Sequence, residues 1–95
     1  MPNKKNPNTN FMVSYVKDFI NGKTERFAFD LDFNHHLTER YAKMEHEYPE
    51  FADAFHCCIV ESGVERSESL SDSQYKNLIK KQFNELFAIE ADGFF

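Results

Sequence analysis

Four histidines and two adjacent cysteines are the side chains of this 95-residue sequence best suited to metal binding or nucleophilic chemistry. His35, Glu39 and His46 fall on one strip of a helix. His35 and His46 are separated by about 16 Å at the helical rise, too far to share one ion. His35 with Glu39 alone is half of a metal site. Asp30-x-Asp32-x-Asn34 has the opening spacing of a calcium loop, but His35 occupies the position that needs Gly and Tyr41 the position that needs a bidentate Glu. Asp32 or Asn34 is expected instead to cap a following helix. His46-Glu47-Tyr48-Pro49-Glu50 lacks the second His of a zinc-protease motif, and Pro49 breaks the helix such a motif requires.

His56 precedes Cys57 and Cys58, an arrangement that would suggest a nucleophile with its base. Consecutive helical residues do not face each other, so His56 is poorly placed to activate either sulfur. Cys58 lies on an apolar stripe and reads as a small core residue. The three glycines stand alone at positions 22, 63 and 93 and form no phosphate loop. These residues imply no metal, no cofactor and no catalytic group, and a small enzyme is the least favoured of three readings.

Charge is more informative. The net charge is −5, spread unevenly. Residues 1–26 carry a basic excess. Residues 44–72 hold Glu45, Glu47, Glu50, Asp53, Glu61, Glu65, Glu68 and Asp72 against Arg66 alone. Such a stretch repels a phosphate backbone, so direct nucleic-acid binding is not expected, whereas a basic protein partner suits it. Glu45, Glu47, Glu50, Asp53 and Glu61 are the expected docking residues. Two neighbouring cysteines cannot make a disulfide framework, which points to a reducing, cytoplasmic compartment. No segment has the apolar length of a membrane span, and the first residues lack the apolar core of a signal peptide.

These side chains must be positioned by a small, mainly α bundle of about four helices. Residues 1–9, polar and containing two prolines, read as a disordered tail, and residues 10–95 as a single small helical domain. Met12, Val13, Val16, Phe19 and Ile20 share one arc of a first helix that Gly22 ends. Phe33, Leu37, Tyr41, Met44 and Tyr48 share an arc of about 80° on a second helix over residues 34–48. Pro49 opens a third, with Phe51, Ala52, Phe55, Cys58 and Ile59 inward, which Gly63 ends. Leu70-Ser71-Asp72-Ser73-Gln74-Tyr75 is a capping box with a hydrophobic staple. The helix it starts runs over residues 72–89, with Tyr75, Leu78, Ile79, Phe83, Leu86, Phe87 and Ile89 inward.

Residues 26–33 break the helical pattern. Phe27, Phe29, Leu31 and Phe33 alternate with Arg26, Ala28, Asp30 and Asp32, the period of an extended segment. Asn21-Gly22 also suits a hairpin turn, so an α+β fold with an N-terminal hairpin is the alternative. An extended arm needs a partner for its backbone groups, and pairing with a second copy would make a homodimer. The C-terminal Gly93-Phe94-Phe95 either folds onto the core or offers an apolar end to a partner. The leading expectation is a non-enzymatic cytoplasmic interaction module that docks a basic protein on its acidic face. The runner-up is a self-associating structural protein that dimerises through the Phe27, Phe29, Leu31 and Phe33 arm.

Overall fold

Pro7 and Pro49 each stand in the first turn of a helix, where a missing N–H is harmless and the fixed φ suits the turn. They open α1 (Pro7–Ile20) and α3 (Pro49–Phe55). Between these runs α2 (Arg26–Glu47), and α4 (Asp72–Glu90) follows. This computed structural model describes residues 6–90, with side chains through Ala88. The architecture is mainly α, a small four-helix bundle as expected, and no strand occurs among the described residues. α1 and α3 each pack against both α2 and α4, so α2 and α4 lie diagonally across the bundle.

α1 starts three residues before the expected Asn10. Residues 7–9 of the expected tail are its first turn, and residues 1–5 lie outside the described residues, as do Gly93-Phe94-Phe95. At its other end Gly22 takes φ +80, a left-handed conformation that glycine adopts without strain. The Gly22 N–H reaches the Phe19 carbonyl at 3.1 Å and the Lys23 N–H reaches that of Asp18 at 2.8 Å. That pair of bonds satisfies the last carbonyls of the helix, and Asn21-Gly22 is a helix stop rather than a hairpin turn.

The extended arm is corrected: residues 26–33 are the first two turns of α2, not a strand. On a helix, the alternating apolar residues resolve into two i,i+4 pairs on nearly opposite faces. Phe29 and Phe33 are fully buried, whereas Phe27 is 76% and Leu31 65% exposed. The helix satisfies the backbone within the segment, beginning with the Phe29 N–H to the Glu25 carbonyl at 2.8 Å, so no strand partner is required. Phe29 then stacks on Phe19 with centroids 4.3 Å apart, and lies 5.3 Å from Phe33. Neither ring is available to a β-paired dimer arm. Asp32 and Asn34 fall inside α2 and cap nothing.

After Pro49 the expected third helix changes register. α3 passes directly into a π-helical segment, His56–Glu61, and the Ser62 N–H reaches back five residues to the Cys57 carbonyl at 3.1 Å. Widening the turn brings Cys58, Ile59 and Val60 together into the core. Gly63 follows against α4. A Cβ there would stand 2.5 Å from the Ile59 carbonyl oxygen and 2.7 Å from Ile79 Cδ1, so this close approach admits only glycine.

α4 begins as expected. The Ser71 N–H donates to Gln74 Oε1 at 2.9 Å, and the Gln74 N–H donates to Ser71 Oγ at 3.2 Å. Tyr75, Ile79 and Leu86 are buried; Leu78, Phe83 and Phe87 are half-buried. Tyr75 closes the aromatic core, 5.4 Å from Phe19, and its hydroxyl donates to Asp30 Oδ1 at 3.0 Å.

Candidate functional site

Tyr41 stands where α2 meets α3. It belongs to the apolar stripe of α2, yet it is only half-buried, because α3 leaves its hydroxyl at the rim, 3.4 Å from the Ala52 carbonyl. Glu45 lies one helical turn further along α2. Pro49 opens α3, which carries Asp53, and Glu61 ends the π-helical segment that follows; both act electrostatically on the Tyr41 hydroxyl. Burial first, then the carboxylates of Glu45, Asp53 and Glu61, raise the Tyr41 pKa above its ordinary value. The His56 ring lies 5.5 Å from that of Tyr41, and its Nδ1 is 3.7 Å from Glu61.

Glu45, Glu50, Asp53 and Glu61 are all exposed, and Glu50 is one turn from Asp53 on α3. Among the described residues, none of the four forms an ion pair with Lys or Arg. This arrangement is a carboxylate-rich surface with an aromatic hydroxyl and an imidazole at its centre. It offers hydrogen-bond acceptors and negative potential.

Glu47 is different. Its Oε2 accepts from the Asn8 N–H at 3.0 Å and Asn8 Nδ2 at 2.7 Å. Its Oε1 accepts from the Thr9 N–H at 2.9 Å and Thr9 Oγ1 at 3.0 Å. Burial opposes ionisation of this carboxyl, but the four hydrogen bonds outweigh it and hold its pKa below the ordinary value. Glu47 therefore caps α1 from a distance and is occupied within the fold. Arg40 braces the same corner: its Nη1 donates to Asn8 Oδ1 at 2.9 Å, and its guanidinium lies 3.7 Å over the Phe11 ring.

The other candidate groups do not assemble. His35 and Glu39 meet at 3.3 Å on the exposed face of α2, and among the described residues no group of three or more His, Cys, Asp or Glu could hold a metal ion. Cys57 is exposed and Cys58 buried. Burial, then the neighbouring Cys57 and Glu85, push the Cys58 thiol up, away from the thiolate that nucleophilic chemistry needs. Among the described residues, no helix is long and apolar enough to cross a membrane.

A second recess lies at the other end of α2. A cleft of about 590 Å³ opens between the α1–α2 turn and the start of α4, with Phe19, Phe27, Glu25, Asp72 and Lys76 among its walls. Arg26 is turned inward beside it. Its Nη1 donates to the Leu70 carbonyl at 2.6 Å and to Asp72 at 3.1 Å, and its Nη2 donates to the Ser67 carbonyl at 2.8 Å. Its guanidinium also lies 4.8 Å from the Tyr75 ring centroid.

Sequence reasoning missed Tyr41 and His56 as the centre of the acidic face, and Arg26 as the clamp on the loop before α4. The i,i+4 spacing of Tyr41 and Glu45 is the only local signal of the first. No local pattern reveals the second, because the groups Arg26 holds lie more than forty positions away. Comparison with protein-family models, curated proteins and solved structures finds no match to this chain.

Proposed function

We propose that this chain is a non-enzymatic, cytoplasmic protein-interaction module that docks a basic partner on the face formed by α2, α3 and the π-helical segment. The exposed carboxylates of Glu45 on α2, Asp53 on α3 and Glu61 at the end of the π-helical segment carry this reading. Together with Glu50, they leave several carboxylates uncompensated by any Lys or Arg ion pair among the described residues. Like charges held close on a surface cost stability and gain nothing within the fold. A basic surface relieves that repulsion and is steered toward it from a distance. Glu47, whose carboxylate caps α1, is not part of the face.

The test is affinity capture from the native cell with the wild-type chain and with Glu45→Lys/Glu50→Lys/Asp53→Lys. The reading expects one basic protein to be retained at low salt, released as salt rises, and lost by the triple variant. A partner captured equally by both chains would overturn it.

A further inference from the structure

Phe27 and Leu31 are the large apolar side chains that the described fold leaves open, at 76% and 65% exposure. They are one turn apart on the outer face of α2, so they form a single ridge instead of two scattered exceptions. The ridge borders the cleft between the α1–α2 turn and α4, in which Phe19 and Phe27 supply apolar wall. Nothing within the described fold packs on it, because α2 turns Phe29 and Phe33 inward and this face away.

The charges around the ridge narrow the choice of occupant. Glu25, on the cleft wall, is exposed, and Asp72 stands across the cleft with 86% of its side chain exposed. The nearest guanidinium, Arg26, is committed to the Ser67 and Leu70 carbonyls and pairs with Asp72 at 3.1 Å. The cleft wall thus sets the carboxylates of Glu25, Asp30 and Asp72 against Arg26 and Lys76 and keeps an acidic excess. A second copy would bring the same carboxylates against these. The two side chains also offer roughly 300 Å² of apolar area, against the roughly 800 Å² per partner typical of a stable interface. A basic segment with its own apolar row meets the charge condition, and its cations extend the contact beyond the two apolar side chains. Such an interface has a few apolar anchors inside a charged rim.

We infer that the Phe27–Leu31 ridge is the apolar anchor of the docking surface, taking the apolar row of a basic helical segment of the partner. This rests on the basic-partner reading above. Phe27 and Glu45 share the outer face of α2 about 27 Å apart at the helical rise, the span of a helical segment of about 18 residues. Such a segment lies along α2 with apolar side chains on Phe27 and Leu31 and cations toward Glu45.

The experiment titrates two synthetic peptides of about 18 residues, the length that matches this span, into the full chain. One is an amphipathic Leu/Lys helix; the other has the same lysines with Ser in place of Leu. The wild type is expected to bind the Leu/Lys peptide at least tenfold more tightly. Phe27→Ala/Leu31→Ala, which keeps two good helix formers on an exposed face, should retain the helical spectrum and lose that preference. Equal binding of both peptides by the wild type overturns the anchor and leaves the acidic-face reading standing. A preference that survives in the double variant also overturns the anchor. Binding of neither peptide overturns both. A wild-type dimer in sedimentation that the double variant abolishes assigns the ridge to a second copy and overturns the inference.

Discussion

The Glu47 carboxylate at the end of α2 takes Thr9 twice, from its backbone N–H at 2.9 Å and from its hydroxyl at 3.0 Å. With the two bonds from Asn8, this replaces the N-terminal cap that α1 lacks locally, since Asn6 makes no side-chain cap bond. An anion at this end also meets the positive end of the helix dipole. Glu47→Ala is expected to destabilise the fold by about 2 kcal/mol, the upper range for a lost cap. Urea denaturation measures the difference.

The same contact sets a pH dependence. The folded pKa of Glu47 is depressed, so its contribution is present above the unfolded value of about 4.3 and is lost as pH falls through the lower folded value. Glu47→Gln should be less stable than wild type at neutral pH and should approach it only as pH falls through the depressed folded value, where the wild-type carboxyl becomes protonated. Denaturation midpoints across that range check the sign.

The cap of α4 is local and was legible from Leu70 to Tyr75. Ser71→Ala is expected to cost about 1 kcal/mol. Gln74→Ala should cost less, because it removes only the reciprocal bond to the Ser71 N–H. Thermal melts of the two variants give the ranking.

Gly63 presses on both Ile59 and Ile79, with no room for a methyl group. The nearer obstacle is a backbone carbonyl oxygen, which cannot rotate away as a side chain can. Gly63→Ala should therefore destabilise by about 2 kcal/mol, as overpacked cores do. A lower urea midpoint with unchanged slope is the expected result.

Helix stripes and stops were readable because their causes are local: Val16 and Phe19 on one arc, Gly22 past the end, Ser71 with Gln74. Residues 26–33 were not. An alternation of Phe27, Phe29, Leu31 and Phe33 is equally a strand face and two i,i+4 helical pairs, and only the core that receives Phe29 decides between them. The π turn at His56–Glu61 has no simple periodic signature, so the burial of Val60 beside Ile59 could not be read ahead. Glu47 looked like one more surface acid because its partners, Asn8 and Thr9, are nearly forty residues away.

The centre of the acidic face can be read spectroscopically. Tyr41 should titrate above the ordinary tyrosine range, from burial first and then from Glu45, Asp53 and Glu61. Replacing those three with Gln, Asn and Gln should bring its transition partway back. Tyr15, raised to about 12 by burial, then Asp32 and Asp30, should not move. Ultraviolet difference titration separates the two, with Tyr41→Phe identifying the Tyr41 transition.

The most direct test of basic-partner docking is calorimetric titration of a Lys/Ser peptide into the wild type and into Glu45→Lys/Glu50→Lys/Asp53→Lys. Both are measured at about 50 mM and about 300 mM salt, on either side of the screening length that matters for surface charges. The account predicts wild-type binding at low salt that weakens at least tenfold at high salt, and no binding by the triple variant. Equal affinity for the two chains, or affinity indifferent to salt, would contradict it.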